Sequence, residues 1–93
     1  MAQITQLDNR WKVSGEIGMD NANAILVASN GLVLAENALI DFGQVTEIDT
    51  AAVSLILEWQ RRAIREKKNL RLVNLPVNLV SLAHLYGVAD MVK

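Results

Sequence analysis

Asp49 and Thr50 are followed at helical spacing by Ser54, Glu58 and Arg61, the residues of this chain best placed to do chemistry or to make a contact. They lie in Ala38 to Leu57, ALIDFGQVTEIDTAAVSLIL, which reads as a short apolar strand, a polar loop and the start of an amphipathic helix. A hydroxyl at an exposed helix start meets unsatisfied backbone N–H groups and the positive end of the helix dipole. Thr50 is therefore expected to cap the helix, to serve as a regulated contact, or to do both. A phosphate on Thr50 would add about 1.5–2 negative charges beside Asp49 and oppose any packed interface there.

The remaining reactive side chains form no constellation. Glu47 and Asp49 have no partner for acid–base work, and the single histidine, His84, lies in an apolar segment away from any nucleophile. Gly15 to Gly18 lacks the Lys and Ser/Thr of a phosphate loop and reads as a turn. No catalytic residue, cofactor or metal site is expected. The absence of cysteine excludes a disulfide framework and a thiolate metal site.

Composition sets the frame for these residues. Ninety-three residues, 52% of them hydrophobic and 20% charged, predict one globular domain spanning 1–93. Mean hydropathy of +0.22 is high for so small a domain and hints at a surface that a partner covers. A net charge of −1 supplies no positive field for phosphate backbones, which argues against nucleic-acid binding. The N-terminal MAQITQLDNRWKV has no leader pattern, and no apolar run approaches the roughly 18 residues that span a bilayer. A cytoplasmic protein without direct membrane insertion is expected.

Elements that would position the site follow from pattern. Ile4 and Leu7, then Asp8-Asn9, then Arg10 to Val13 predict a short hairpin. Gly15 and Gly18 interrupt it, and Asp20 is the expected N-cap of a helix from about Asn21 that carries Ile25, Ala28 and Leu32, with Asn30-Gly31 near its end. Ala38 to Phe42 predicts a buried parallel strand, Gly43 to Asp49 a loop, and Ala51 to Lys67 the strongest helix. Leu70 to Val73 predicts another strand. Pro76 opens a last helix with the stripe Leu79, Leu82, Ala83 and Tyr86, stopped by Gly87, and Val88 to Val92 forms a final strand or turn. This alternation predicts an α/β fold with a mixed four- to five-stranded sheet, helices packed around it and the hairpin as its antiparallel member.

At about 100° per residue, Ala52, Leu55, Ile56, Trp59 and Ala63 share the face of the strong helix that packs on the sheet. Thr50, Ser54, Glu58, Arg61 and Arg65 lie on another, with Val53, Leu57 and Ile64 along the margin. That margin is wider than a single sheet contact needs. Either a neighbouring helix covers it, or Asp49, Thr50, Val53, Ser54, Leu57, Glu58 and Arg61 form a docking surface for another protein. Glu58 and Arg62 are spaced for a supporting pair worth about 0.3 kcal/mol. Trp59 is expected in the core and Trp11 on the sheet face.

Asp41-Phe42-Gly43, Val45 and Ile48-Asp49-Thr50-Ala51-Ala52-Val53 resemble the signature of STAS domains, the fold of anti-sigma factor antagonists. Pro76-Val77 to Leu85-Tyr86-Gly87-Val88 resembles the closing helix and turn of that family, and Ser14-Gly15-Glu16-Ile17 is the anchor before residue 38. Thr50, where antagonists usually carry a phosphorylatable serine, and the tail Leu82 to Asp90 look more like the Mla-type branch. That resemblance implies a non-catalytic subunit held to the inner membrane through the ATPase of an ABC phospholipid transporter that maintains outer-membrane lipid asymmetry, with Thr50 and its helix at the contact. The alternative it implies is an antagonist partnered with an anti-sigma kinase and phosphorylated on Thr50. Ala52 stands where the family usually has glycine; it stiffens the helix start by about 1 kcal/mol and adds a methyl group at the contact.

Overall fold

The computed structural model describes residues 2–85. The hairpin forms as its pattern predicts: β1 (Gln3–Leu7) and β2 (Arg10–Ile17) pair antiparallel, Leu7 opposite Arg10. Asp8, with φ of 56°, supplies the left-handed backbone that the tight turn requires. Strand β2 continues through Gly15 instead of stopping there, accommodated by register shifts against its neighbour on both sides of Ser14-Gly15.

A helix α1 (Ala22–Asn30) follows, with Asn21 rather than Asp20 at its N-cap position. The Asn21 side chain turns back, accepting from Gly18 N–H at 2.9 Å and donating to the Glu16 carbonyl at 2.8 Å. Of the expected stripe only Ile25 is buried within the helix; Ala28 is exposed, and Leu32 lies beyond its end. Strand β3 (Asn37–Ile48) is the largest departure from the sequence pattern, because the expected loop Gly43 to Asp49 is mostly strand. Its polar half forms strand because β2 pairs with it as far as Ile17 opposite Ile48, satisfying the backbone groups on that side whatever its side chains, although β4 pairs no further than Asp41.

Helix α2 (Ala51–Glu66), strand β4 (Asn69–Val73) and helix α3 (Val77–Leu85) complete the order. Pro76 sits just ahead of α3 and its carbonyl accepts from Leu79 and Val80. Tyr86, Gly87 and Val88 to Val92 lie outside the described residues. The sheet runs β1-β2-β3-β4, with β2, β3 and β4 parallel, so the mixed sheet has four strands among the described residues.

Helix α1 packs on β1 and α2, and α2 packs on β4 and α3. The core between sheet and helices holds Trp11, Val13, Ile17, Ile40 and Phe42 against Ala52, Leu55, Ile56, Trp59 and Ala63, so the expected sheet face of α2 is buried in full. Trp11 and Trp59 meet edge to face at 6.0 Å, and both are 1% exposed. Trp59 donates its indole N–H to Ser29 Oγ at 2.9 Å, and Ser29 in turn donates to the Leu26 carbonyl. Arg62 lies over Trp11 and donates to the Ser29 and Leu32 carbonyls at 2.9 and 2.7 Å, closing the C-terminal end of α1. Its carboxylate partner is Glu66, one turn on, in place of the expected Glu58.

Candidate functional site

Asp49 closes the carboxyl end of β3 and organises the start of two helices. Its own N–H donates to the Ile17 carbonyl at 3.1 Å, tying it to β2. Its Oδ1 accepts from Ala51 N–H at 2.8 Å and its Oδ2 from Met19 N–H at 3.2 Å. Its carbonyl accepts from Ala52 N–H at 3.1 Å. Gly18 makes room for this carboxylate: a Cβ there would stand 3.1 Å from Asp49 Oδ2. The loop before α1 and the start of α2 are thus held by one side chain.

This arrangement changes the role of Thr50. The threonine occupies helical backbone (φ −61°, ψ −22°) and its hydroxyl makes no capping bond. Asp49 caps α2 instead: standing one residue earlier, its carboxylate reaches the Ala51 N–H two residues on. Thr50 is exposed with its hydroxyl uncommitted to the helix.

Ser54, Glu58 and Arg61 are exposed along the same side of α2, and Arg61 pairs with Glu58 one turn back. Leu57 is half-buried and packs against the core at the margin of this strip. Val53 is a core residue at 6% exposure. By helical spacing it projects away from the α1 side of α2. Val53 therefore supports the strip from beneath and offers a partner no surface of its own. Ile64, by contrast, is 74% exposed. The wide apolar margin thus divides: its near end at Val53 is covered by the chain itself, Leu57 is half-buried and the far end at Ile64 faces solvent.

Two clefts flank the strip. One, of about 210 Å³, lies between α1 and α2 and is lined by Ala22, Asn23, Leu26, Ala51, Ser54, Leu55 and Glu58. The other, of about 230 Å³, opens beyond the ends of β2 and β3 among Glu16, Asp20, Glu47 and Asp49. Sequence reading missed both, and it missed Gly18 and Met19 as elements of the helix start. A signal for the first was present: small Ala22 and Ala51 near the starts of consecutive helices allow the helices to leave a gap. No cluster of metal-ligating side chains occurs among the described residues.

A second polar centre buttresses the strand that leads to the site. Asp41, 5% exposed, lies on the sheet face away from the helices, beside Lys12 in register. It accepts from Asn74 Nδ2 at 3.0 Å, Gly43 N–H at 2.8 Å and Arg10 Nη1 at 2.8 Å. The Asn74 amide, with the Gly43 N–H and the Arg10 guanidinium, holds the Asp41 carboxyl below the usual carboxylate range despite burial. The acidic residue that ends the apolar half of β3 is therefore a structural anion.

The family described as Mlab, STAS domain matches residues 2–93. The chain belongs to the STAS-domain family and is most like its MlaB members. Its fold is that of the anti-sigma factor antagonist SpoIIAA in its unphosphorylated form, at a TM-score of 0.74 and 13% identity over 100% of this chain and 86% of that one. A crystal structure of Mglu matches at a TM-score of 0.61 and 20% identity, covering 81% of this chain but only 20% of the much longer Mglu chain. No curated protein matches significantly. STAS domains are in general non-catalytic modules that bind partner proteins.

Proposed function

We propose that this chain is the single-domain, non-catalytic STAS subunit of an ABC phospholipid transport system, docking on the cytoplasmic ATPase through the start of α2. The observation that carries this reading is the exposed Thr50, Ser54, Glu58 and Arg61 strip, set on a helix start that Asp49 holds rigid without help from Thr50. A hydroxyl freed from capping is available to a partner. The half-buried Leu57 beside it supplies an apolar anchor, and Arg61 is of a type favoured at interfaces. The MlaB-like family match supports the ATPase as the partner, at the inner membrane, in a system maintaining outer-membrane lipid asymmetry. Among the described residues no helix is long and apolar enough to cross a membrane; on this reading the ATPase holds the chain at the inner membrane.

Binding one conformation of the ATPase more tightly than another is sufficient for regulation. Tagged chain is expected to bring down an ABC ATPase, and Thr50→Glu or Arg61→Glu to abolish the capture. Recovery of an anti-sigma-type kinase in its place refutes the reading.

A second reading, an anti-sigma factor antagonist switched by phosphorylation of Thr50, is favoured by the exposed, uncapped hydroxyl and by the SpoIIAA-like fold. It predicts a phosphate-sized mass shift on the intact protein in cells. Its absence across growth and stress conditions counts against that alternative.

A further inference from the structure

The sheet ends at β1 on one side, and this edge lacks the usual protection. Gln3-Ile4-Thr5-Gln6-Leu7 contains no charge and no proline, and it pairs with β2 without a register shift. Edge strands of monomers normally carry at least one such device, because their unpaired N–H and C=O groups are a template for another strand.

The register fixes which groups are free. A two-residue turn makes its flanking pair, Leu7 and Arg10, a hydrogen-bonded pair, and bonded and non-bonded pairs then alternate. Thr5 opposite Lys12 and Gln3 opposite Ser14 are therefore bonded inward. Ile4 and Gln6 direct their N–H and C=O groups outward. Behind them, on the helix side, lies a cleft of about 690 Å³ lined by Ala2, Ile4, Ala24, Ile25 and Ala28, with no charged side chain on its walls.

We infer that the β1 edge is the seat of a second copy of this chain, paired antiparallel about a two-fold axis at Thr5. The strand is complementary to itself in that register. Ile4 of one copy then faces Gln6 of the other, and these are the residues with free backbone groups, so each such pair exchanges both of its hydrogen bonds. Thr5 meets Thr5 in a non-hydrogen-bonded pair, a cross-strand hydroxyl contact that strands favour. Displacing the register by one residue would oppose outward-facing groups to inward-facing ones. With no charge on either copy's edge strand or cleft, no like charges meet directly across the joint. The small Ala24 and Ala28 let the two α1 helices close over the joined sheet, a homotypic form of strand addition.

Sedimentation of the full chain over a concentration series tests this, with two variants. The natural chain has no cysteine, and a non-hydrogen-bonded pair has a Cα separation of about 4.5 Å, inside the range that a disulfide spans. Thr5→Cys is thus expected to cross-link to a covalent dimer under mild oxidation, whereas Arg65→Cys is not. Thr5→Lys, an exposed substitution that places like charges at the axis, is expected to raise the dimer dissociation constant about tenfold or more with unchanged far-ultraviolet dichroism. A chain that stays monomeric throughout, a dimer untouched by Thr5→Lys, or Thr5→Cys that cross-links no faster than Arg65→Cys overturns the inference. So does exchange protection at Ile4 and Gln6 that appears only when the ATPase is added, which would give the edge to that partner.

Discussion

Asp41 within β3 and Asp49 just past its end show how two carboxylates eight residues apart take opposite environments. Asp49 is exposed and spends its oxygens on backbone N–H groups at helix starts, the geometry of a cap. Asp49→Ala is expected to cost about 1 kcal/mol in urea unfolding and to speed amide exchange at both Met19 and Ala51. Asp41 is buried among donors, and its folded pKa lies below the ordinary 3.8. The ionised form therefore favours the fold. That contribution is complete above the unfolded value and is lost as pH falls through the folded one. Denaturant midpoints measured on descending through pH 4 are expected to fall, and less steeply in Asp41→Asn. Asp49-Thr50 was legible as a helix start from sequence, but not which of the two caps it. Both residue types cap well, and only the backbone angles at Thr50 decide the matter.

Among the elements, α2 was the most legible because its apolar period is strong and its whole sheet face is buried. Strand β3 was half legible. Ala38 to Phe42 reads as strand from apolarity, whereas Gly43 to Glu47 is exposed for the most part and is strand only because β2 runs alongside it. Such pairing is tertiary and leaves no local signal. The junction of α1 and α2 was invisible for the same reason, since Trp59, Ser29 and Leu26 meet across the sequence in a relay of hydrogen bonds. Ser29→Ala leaves the buried Trp59 N–H without its acceptor and is expected to cost about 1–3 kcal/mol in thermal or chemical unfolding. Ser29→Thr, which keeps the hydroxyl, is expected to recover part of that loss.

At the scale of the molecule, the core and the proposed docking strip occupy separable surfaces. The core lies between sheet and helices, whereas Thr50, Ser54, Glu58 and Arg61 stand outside it. Arg61→Glu is therefore expected to leave unfolding within about 0.5 kcal/mol of the natural chain while removing ATPase capture. A variant that lost both would place Arg61 in the folding machinery and not at the contact. Val53 draws the boundary from the other side: truncating it to Ala is expected to lower stability first, because it is covered by the chain itself.

The edge-to-face tryptophan pair has an optical corollary. Both indoles are screened from water and locked against each other, one beneath a guanidinium and one anchored to a serine. Such rings emit at short wavelength and give a strong, signed aromatic dichroism that vanishes when α2 separates from the sheet. The chain carries its own gauge of intactness, which stays silent while a ligand settles on the far side of the helix and speaks only when the interior gives way.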